Sequence, residues 1–185
     1  MYVNSENYQG KAVNHVCDYS NMDYASFWRD HDREYEDAVE RVALRRLTKD
    51  MTGTCIDIGG GYGRLVNEYA PKCTHVLLTD YAENMVSQAR ERVRQLGLDN
   101  VECMRANLYE LRQYKKTYDN AVCIRVLHHV ENVPDFLEQV NMILEKDGTF
   151  ILEYANKRNL LEILRYILRR PNIKPFDQLP SQRMS

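Results

Sequence analysis

A chain of 185 residues, 44% of them hydrophobic, can bury one sizeable core and leaves no room for a second full domain. Its formal net charge of -2 excludes the broad positive field that draws a protein to nucleic acid or to anionic lipid, so bulk charge points to a small-molecule ligand. The five cysteines, Cys17, Cys55, Cys73, Cys103 and Cys123, are odd in number, form no Cys-x-x-Cys pair and mostly sit in apolar runs, which suits reduced core residues. The first residues lack a basic start and an apolar stretch, and no apolar run reaches the length of a membrane span, so a cytoplasmic protein is expected.

The chain opens with Tyr8, Tyr19, Tyr24, Phe27 and Trp28, aromatic residues suited to packing with a polar tip. From about Asp23 to Leu47 charge is dense, and Phe27, Tyr35, Val39, Val42, Ala43 and Leu47 are spaced for one helical stripe. Residues 1–47 therefore form an N-terminal helical cap. The core, 48–156, alternates short β-branched runs with helical periods. Strands are predicted at Thr54–Ile58, His75–Thr79, Val101–Ala106, Ala121–Val126 and Thr149–Tyr154. Between them helices are predicted at Arg64–Tyr69, at Asn84–Leu96 with Met85, Ala89, Val93 and Leu96 on one face and a stop at Gly97, and from Pro134 through Leu144. Gly148 is placed as the left-handed residue after that third helix. Residues 157–185 hold a basic amphipathic helix, Lys157–Arg170, which best serves to cover the sheet, and a tail punctuated by Pro171, Pro175 and Pro180. Right-handed crossovers make the strands parallel, giving a three-layer α/β/α fold.

The most informative stretch is Asp57-Ile58-Gly59-Gly60-Gly61-Tyr62-Gly63, directly after a strand. In open α/β sheets ligands bind beyond the carboxyl ends of the strands, and glycines in the first turn let the backbone approach them. Aligned with Gly-x-Gly-x-x-Gly, however, Gly59 and Gly61 put Arg64 where the third glycine belongs. A carboxylate at Asp57 would repel a pyrophosphate and suits a sulfonium or ammonium cation.

Asp57-x-Gly59-x-Gly61-x-Gly63 resembles motif I of the class I S-adenosylmethionine-dependent methyltransferases, in their small-molecule branch. The resemblance implies a Rossmann-like sheet and a loop around the methionine end of S-adenosylmethionine. It also implies that Asp80 accepts bonds from the ribose hydroxyls and that Tyr81 and Met85 flank the adenine. Ala106-Asn107-Leu108 is similar to the adenine-contacting segment, with Asn107 where the family commonly has Asp. Arg125-Val126-Leu127-His128-His129 and Leu144-Glu145-Lys146-Asp147-Gly148 resemble segments of the small-molecule branch. The cofactor-binding set is thus Asp57, Gly59, Gly60, Gly61, Gly63, Asp80, Tyr81, Met85, Ala106, Asn107, Leu108 and Arg125, and the aromatic start of the chain corresponds to a segment that often lids the cofactor.

No catalytic residue is assigned, because aligning acceptor and donor can supply effective molarities of about 10⁵ to 10⁸ M without a covalent nucleophile. As neighbours on a strand, His128 and His129 would point to opposite faces, so positioning or packing is expected of them and no metal site. The family's usual seventh-strand hairpin has no counterpart after Pro171. Five strands are expected, with an open sheet edge that calls for a homodimer or marks a truncated chain. A binding module without turnover and a nicotinamide-dependent oxidoreductase are the alternative readings, and nucleic acid is not expected as a partner.

Overall fold

A computed structural model describes Trp28 and residues 33–114, 116–154, 156, 164 and 168. The expected helix at 157–170 apart from Leu164 and Leu168, the tail after it, and Tyr8, Tyr19, Tyr24 and Phe27 lie outside the described residues. Helix α1 spans Glu34–Leu47 and is followed by strand β1, Thr54–Ile58. Strand β2 covers His75–Asp80 and helix α2 Glu83–Leu96, ended by Gly97 at φ 64° as its spacing predicts. Strands β3, Val101–Arg105, and β4, Tyr118–Cys123, precede helix α3, Val133–Ile143, and strand β5, Leu144–Leu152. The strands form one parallel sheet in the order β3-β2-β1-β4-β5. Among the described residues no helix is long and apolar enough to cross a membrane.

The two-residue period of the strands sorts their side chains into two cores, one on each face of the sheet. Cys55, Val76, Leu78, Cys103, Val122 and Ile151 face the side covered by α2, through Val86, Ala89 and Val93. Ile56, Ile58, Leu77, Ala121 and Cys123 face the side covered by α3, through Phe136, Val140 and Ile143. The architecture is the expected Rossmann-like three-layer α/β/α fold.

Several local expectations fail. Residues 64–69 do not form an α-helix; the chain makes two short 3-10 turns, Val66–Glu68 and Ala70–Lys72, the second containing Pro71. β4 begins three residues early because its polar start is satisfied across the sheet: Asp119 accepts from the Thr54 N–H at 2.7 Å and Asn120 donates to the Thr52 carbonyl at 2.6 Å. It ends at Cys123 rather than Val126, since Arg125 turns to a left-handed φ of 60°. β5 starts at Leu144, with a bulge between its pairs with Tyr118 and Asn120. The left-handed residue of that bulge is Asp147, at φ 70°, and not Gly148.

The α1 stripe is also inverted. Tyr35, Val39, Val42 and Leu47 are exposed, and Leu44 is the residue of this helix that enters the core. The inner side of α1 is charged instead, because its partners on the core are ions. Gly148 has a different task from the one expected. A Cβ there would meet the Glu145 carbonyl oxygen at 2.9 Å and that of Asp119 at 3.1 Å, both backbone atoms. Gly148→Ala is therefore expected to destabilise the fold by about 1–3 kcal/mol, as overpacking does; a urea midpoint equal to the parent's would refute the contact.

Candidate functional site

The carboxyl ends of β1, β2 and β4 open into one cavity, whose empty volume is about 1110 Å³ with the solvent at its mouth included. The glycine turn forms its floor. Gly59, at φ 72°, brings the backbone against Val126, and a Cβ there would lie 2.4 Å from that side chain. Gly61, at φ 57°, faces open space, with no atom within 4 Å of where a Cβ would stand. The turn is held by the neighbouring strand: the Gly60 N–H donates to the Thr79 carbonyl at 2.9 Å, and the Gly61 N–H to Asp80 Oδ2 at 2.9 Å. Asp80 Oδ1 accepts from the Ala82 N–H, also at 2.9 Å. One carboxylate thus ties the turn after β1 to the turn after β2.

Beneath the turn Asp57 is buried and accepts a hydrogen bond from the Tyr69 hydroxyl. Burial pushes its carboxyl up to about 7, the Asp80 charge adds to the rise, and the Tyr69 bond opposes it. Tyr69 comes into reach because the chain after Gly63 folds as tight turns rather than as a helix. Sequence reasoning missed it for that reason.

The opposite wall is built around Trp28. Guanidinium groups lie over its ring, with the Arg64 carbon 3.6 Å, the Arg125 carbon 4.8 Å and the Arg33 carbon 5.8 Å from the ring centroid. α1 holds the first two: Arg64 bonds Asp37 and Glu40, and Arg125 bonds Glu40 at 2.5 Å and Glu36 at 3.2 Å. Arg41 and Arg45 add bonds to the buried Glu68 at 2.7 and 2.6 Å. Arg125 therefore keeps a left-handed backbone, which costs about 1–3 kcal/mol in a non-glycine residue, within a network that fixes its side chain.

His128 and His129 belong to a single 3-10 turn, Leu127–His129, and not to a strand. Their rings lie side by side with centroids 3.8 Å apart, so the opposite-face expectation is wrong. His129 lines the cavity, and burial, reinforced by His128, lowers its imidazole to about 4. It is neutral at physiological pH. Among the described residues no group of His, Cys, Asp and Glu is arranged to hold a metal ion.

Of the twelve residues expected at the site, ten line this cavity: Asp57, Gly59, Gly60, Gly61, Asp80, Tyr81, Met85, Ala106, Leu108 and Arg125. Gly63 and Asn107 do not. The Gly63 carbonyl accepts from Arg92, and Asn107 Oδ1 accepts from the Tyr109 N–H at 3.0 Å, turning it back on its own loop. Tyr62, Arg64, Leu65 and Tyr69 line the cavity without having been expected there. Arg64 was visible as the departure from the third glycine, and Trp28 as the one tryptophan of the chain.

The comparisons agree with this geometry. A family described as "Methyltransferase domain" matches residues 56–150. The chain is 28% identical over 126 residues to a probable (S)-tetrahydroprotoberberine N-methyltransferase 2 of Papaver bracteatum, covering 66% of this chain and 34% of that protein. It is 30% identical over 124 residues to the ubiquinone/menaquinone biosynthesis C-methyltransferase UbiE of Escherichia coli O1:K1 / APEC, covering 60% and 48%. Among solved structures it is similar to DhpI in complex with SAH, at a TM-score of 0.56 and 24% identity over 68% of this chain and 62% of that one. The chain spans between about a third and a half of the length of the curated relatives it matches.

Asp57 gives the site a pH dependence of definite sign. A carboxyl raised in the folded state adds stability that is full below the ordinary carboxylate range and is lost as pH rises through about 7. His128 and His129, lowered by burial, work oppositely below the usual 6.5, so the informative quantity is a difference between variants. Asp57→Asn is expected to gain on the parent in unfolding free energy as pH rises from about 5 to about 8. Parallel urea-stability profiles would show that Asp57 titrates normally.

Proposed function

This chain belongs to the methyltransferase-domain family, and from that premise we propose that it binds S-adenosylmethionine in the cavity and methylates a small-molecule acceptor. The observation that carries the reading is the pairing of an open glycine turn with two carboxylates, one buried beneath it and one bracing it. When bound, the cofactor supplies a methyl group on a sulfonium, open to in-line displacement by a nucleophile.

The residues present fit such a ligand. Gly61 leaves its backbone clear on the cavity side, so the turn can lie against the amino-acid end. Asp57 gains from a nearby cation, which favours its charged form against the burial that opposes it. Asp80 lines the cavity at the carboxyl end of β2, and its carboxylate is an acceptor of the kind that sugar hydroxyls need. Tyr81, Met85, Ala106 and Leu108 line the cavity with the aromatic and apolar surface that an adenine needs. Gly63 and Asn107 enter this reading as supports of the lining and not as contacts.

The acceptor end is bounded by Trp28, Leu65, Ile124, Val126 and His129, a wall sized for a small organic molecule. Arg64 and Arg125 on that wall are matched by α1 carboxylates, so it offers no surplus charge to a polyanion such as nucleic acid. The names of the Papaver and Escherichia relatives, which concern a tetrahydroprotoberberine and ubiquinone/menaquinone biosynthesis, support an acceptor of that size. His129, neutral at pH 7, can accept a hydrogen bond from an acceptor hydroxyl or amine.

Calorimetric titration tests the cofactor reading directly. S-adenosylhomocysteine is expected to bind and NAD not to bind; the reverse would transfer the chain to the nicotinamide reading. Asp80→Ala should weaken S-adenosylhomocysteine by about 1.5–3 kcal/mol, the loss of hydrogen bonds to a charged acceptor. Gly61→Val should abolish binding by placing a branched side chain at the clear face of the turn. Transfer of labelled methyl from S-adenosylmethionine across a panel of phenols, amines and quinols then separates a catalyst from a module that only binds.

A further inference from the structure

The two turns that carry the proposed cofactor contacts are each held from outside the cavity by one arginine, and in the same way. Behind the glycine turn, Arg92 of α2 donates Nε to the Gly63 carbonyl at 2.9 Å, and its guanidinium carbon lies 5.9 Å from the centroid of the Tyr62 ring. Behind the second turn, Arg105 at the end of β3 donates Nε to the Tyr81 carbonyl at 2.9 Å and lies 5.2 Å from the centroid of the Tyr81 ring. Tyr62 and Tyr81 line the cavity, whereas neither arginine does.

A surface arginine ordinarily extends into solvent, and one such contact would carry no argument. Here each side chain makes two contacts with the same turn, a hydrogen bond to its backbone and a face-on approach to its aromatic ring. That combination needs a planar fork with fixed donors, which lysine lacks. Both arginines also start from regular structure. Arg92 stands beside Val93, which enters the core under α2, and Arg105 is the β3 residue in register with Asp80. The turns therefore inherit the rigidity of α2 and β3.

We infer that Arg92 and Arg105 are positioning residues for the cofactor, Arg92 fixing the turn against its amino-acid end and Arg105 the turn against its adenosine end. This rests on the function proposed above. The two ends can be told apart with S-adenosylhomocysteine and 5′-methylthioadenosine, which lacks the amino-acid portion, as probes in calorimetric titrations of the full chain. Arg105→Met weakens both probes by a similar factor, about 5- to 20-fold. Arg92→Met weakens S-adenosylhomocysteine comparably and leaves 5′-methylthioadenosine within about twofold of the parent. Arg92→Lys and Arg105→Lys, which keep the charge and stem, show the same asymmetry in smaller measure and stand in if a methionine variant does not fold.

Any pattern without that asymmetry overturns the inference, including equal losses of both probes in both variants, which is what loosening of the fold alone would produce. Failure of 5′-methylthioadenosine to bind the parent overturns it as well, because the Arg105 turn would then hold no affinity of its own. Asp80→Ala keeps the two levels distinct. If that variant retains full affinity for S-adenosylhomocysteine, the site itself is misread; if it loses affinity and the arginine variants do not, the positioning role alone fails.

Discussion

The site depends on one carboxylate shared between two turns. Asp80 closes β2, and its two oxygens accept the N–H of Gly61 from the turn after β1 and the N–H of Ala82 from the turn after β2. That bridge acts together with the Gly60 bond to the Thr79 carbonyl and the Arg92 bond to the Gly63 carbonyl on a turn that is left-handed at Gly59, Gly61 and Gly63 and whose glycines bring no side chains to pack. Parallel pairing of β1 with β2, Ile58 opposite Thr79, sets the two turns side by side. The crevice where a ligand fits is thus a by-product of strand order, made specific by a single side chain.

Around this bridge two buried charge arrangements do different work. Asp57 beneath the turn is under electrostatic pressure to stay protonated, which a cation in the cavity would relieve. The arginines of the far wall have the opposite character. Their charges are met by Glu36, Asp37 and Glu40, and both guanidinium groups lie over the ring of Trp28, which lines the cavity. On one side a carboxyl's charge is opposed by burial, and on the other the arginine charges are already neutralised.

Much of the fold and of the cavity lining around the glycine turn was legible in the sequence, because both follow from short-range patterns. β1 and the Gly97 stop of α2 need only apolar runs and a left-handed cap, and the glycine turn announces itself by composition. What was not legible depends on partners far away in the chain. Asp119 and Asn120 look like loop residues until Thr52 and Thr54 satisfy them, and Tyr69 has no visible link to Asp57 until the helix expected at 64–69 is replaced by turns. The apolar spacing of α1 was real, but its direction was not, because the side facing the core is chosen by Arg64, Glu68 and Arg125. His129 was seen and set aside on a strand geometry that the chain does not adopt.

The manner in which α1 is attached gives the molecule two layers with different thermal behaviour. Apolar burial holds the sheet to α2 and α3, and such contacts weaken on cooling. α1 is fastened chiefly by ion pairs, whose desolvation penalty falls as temperature rises. Cooling thus weakens the interior's contacts, whereas warming lowers what it costs to hold the ion-paired covering helix in place.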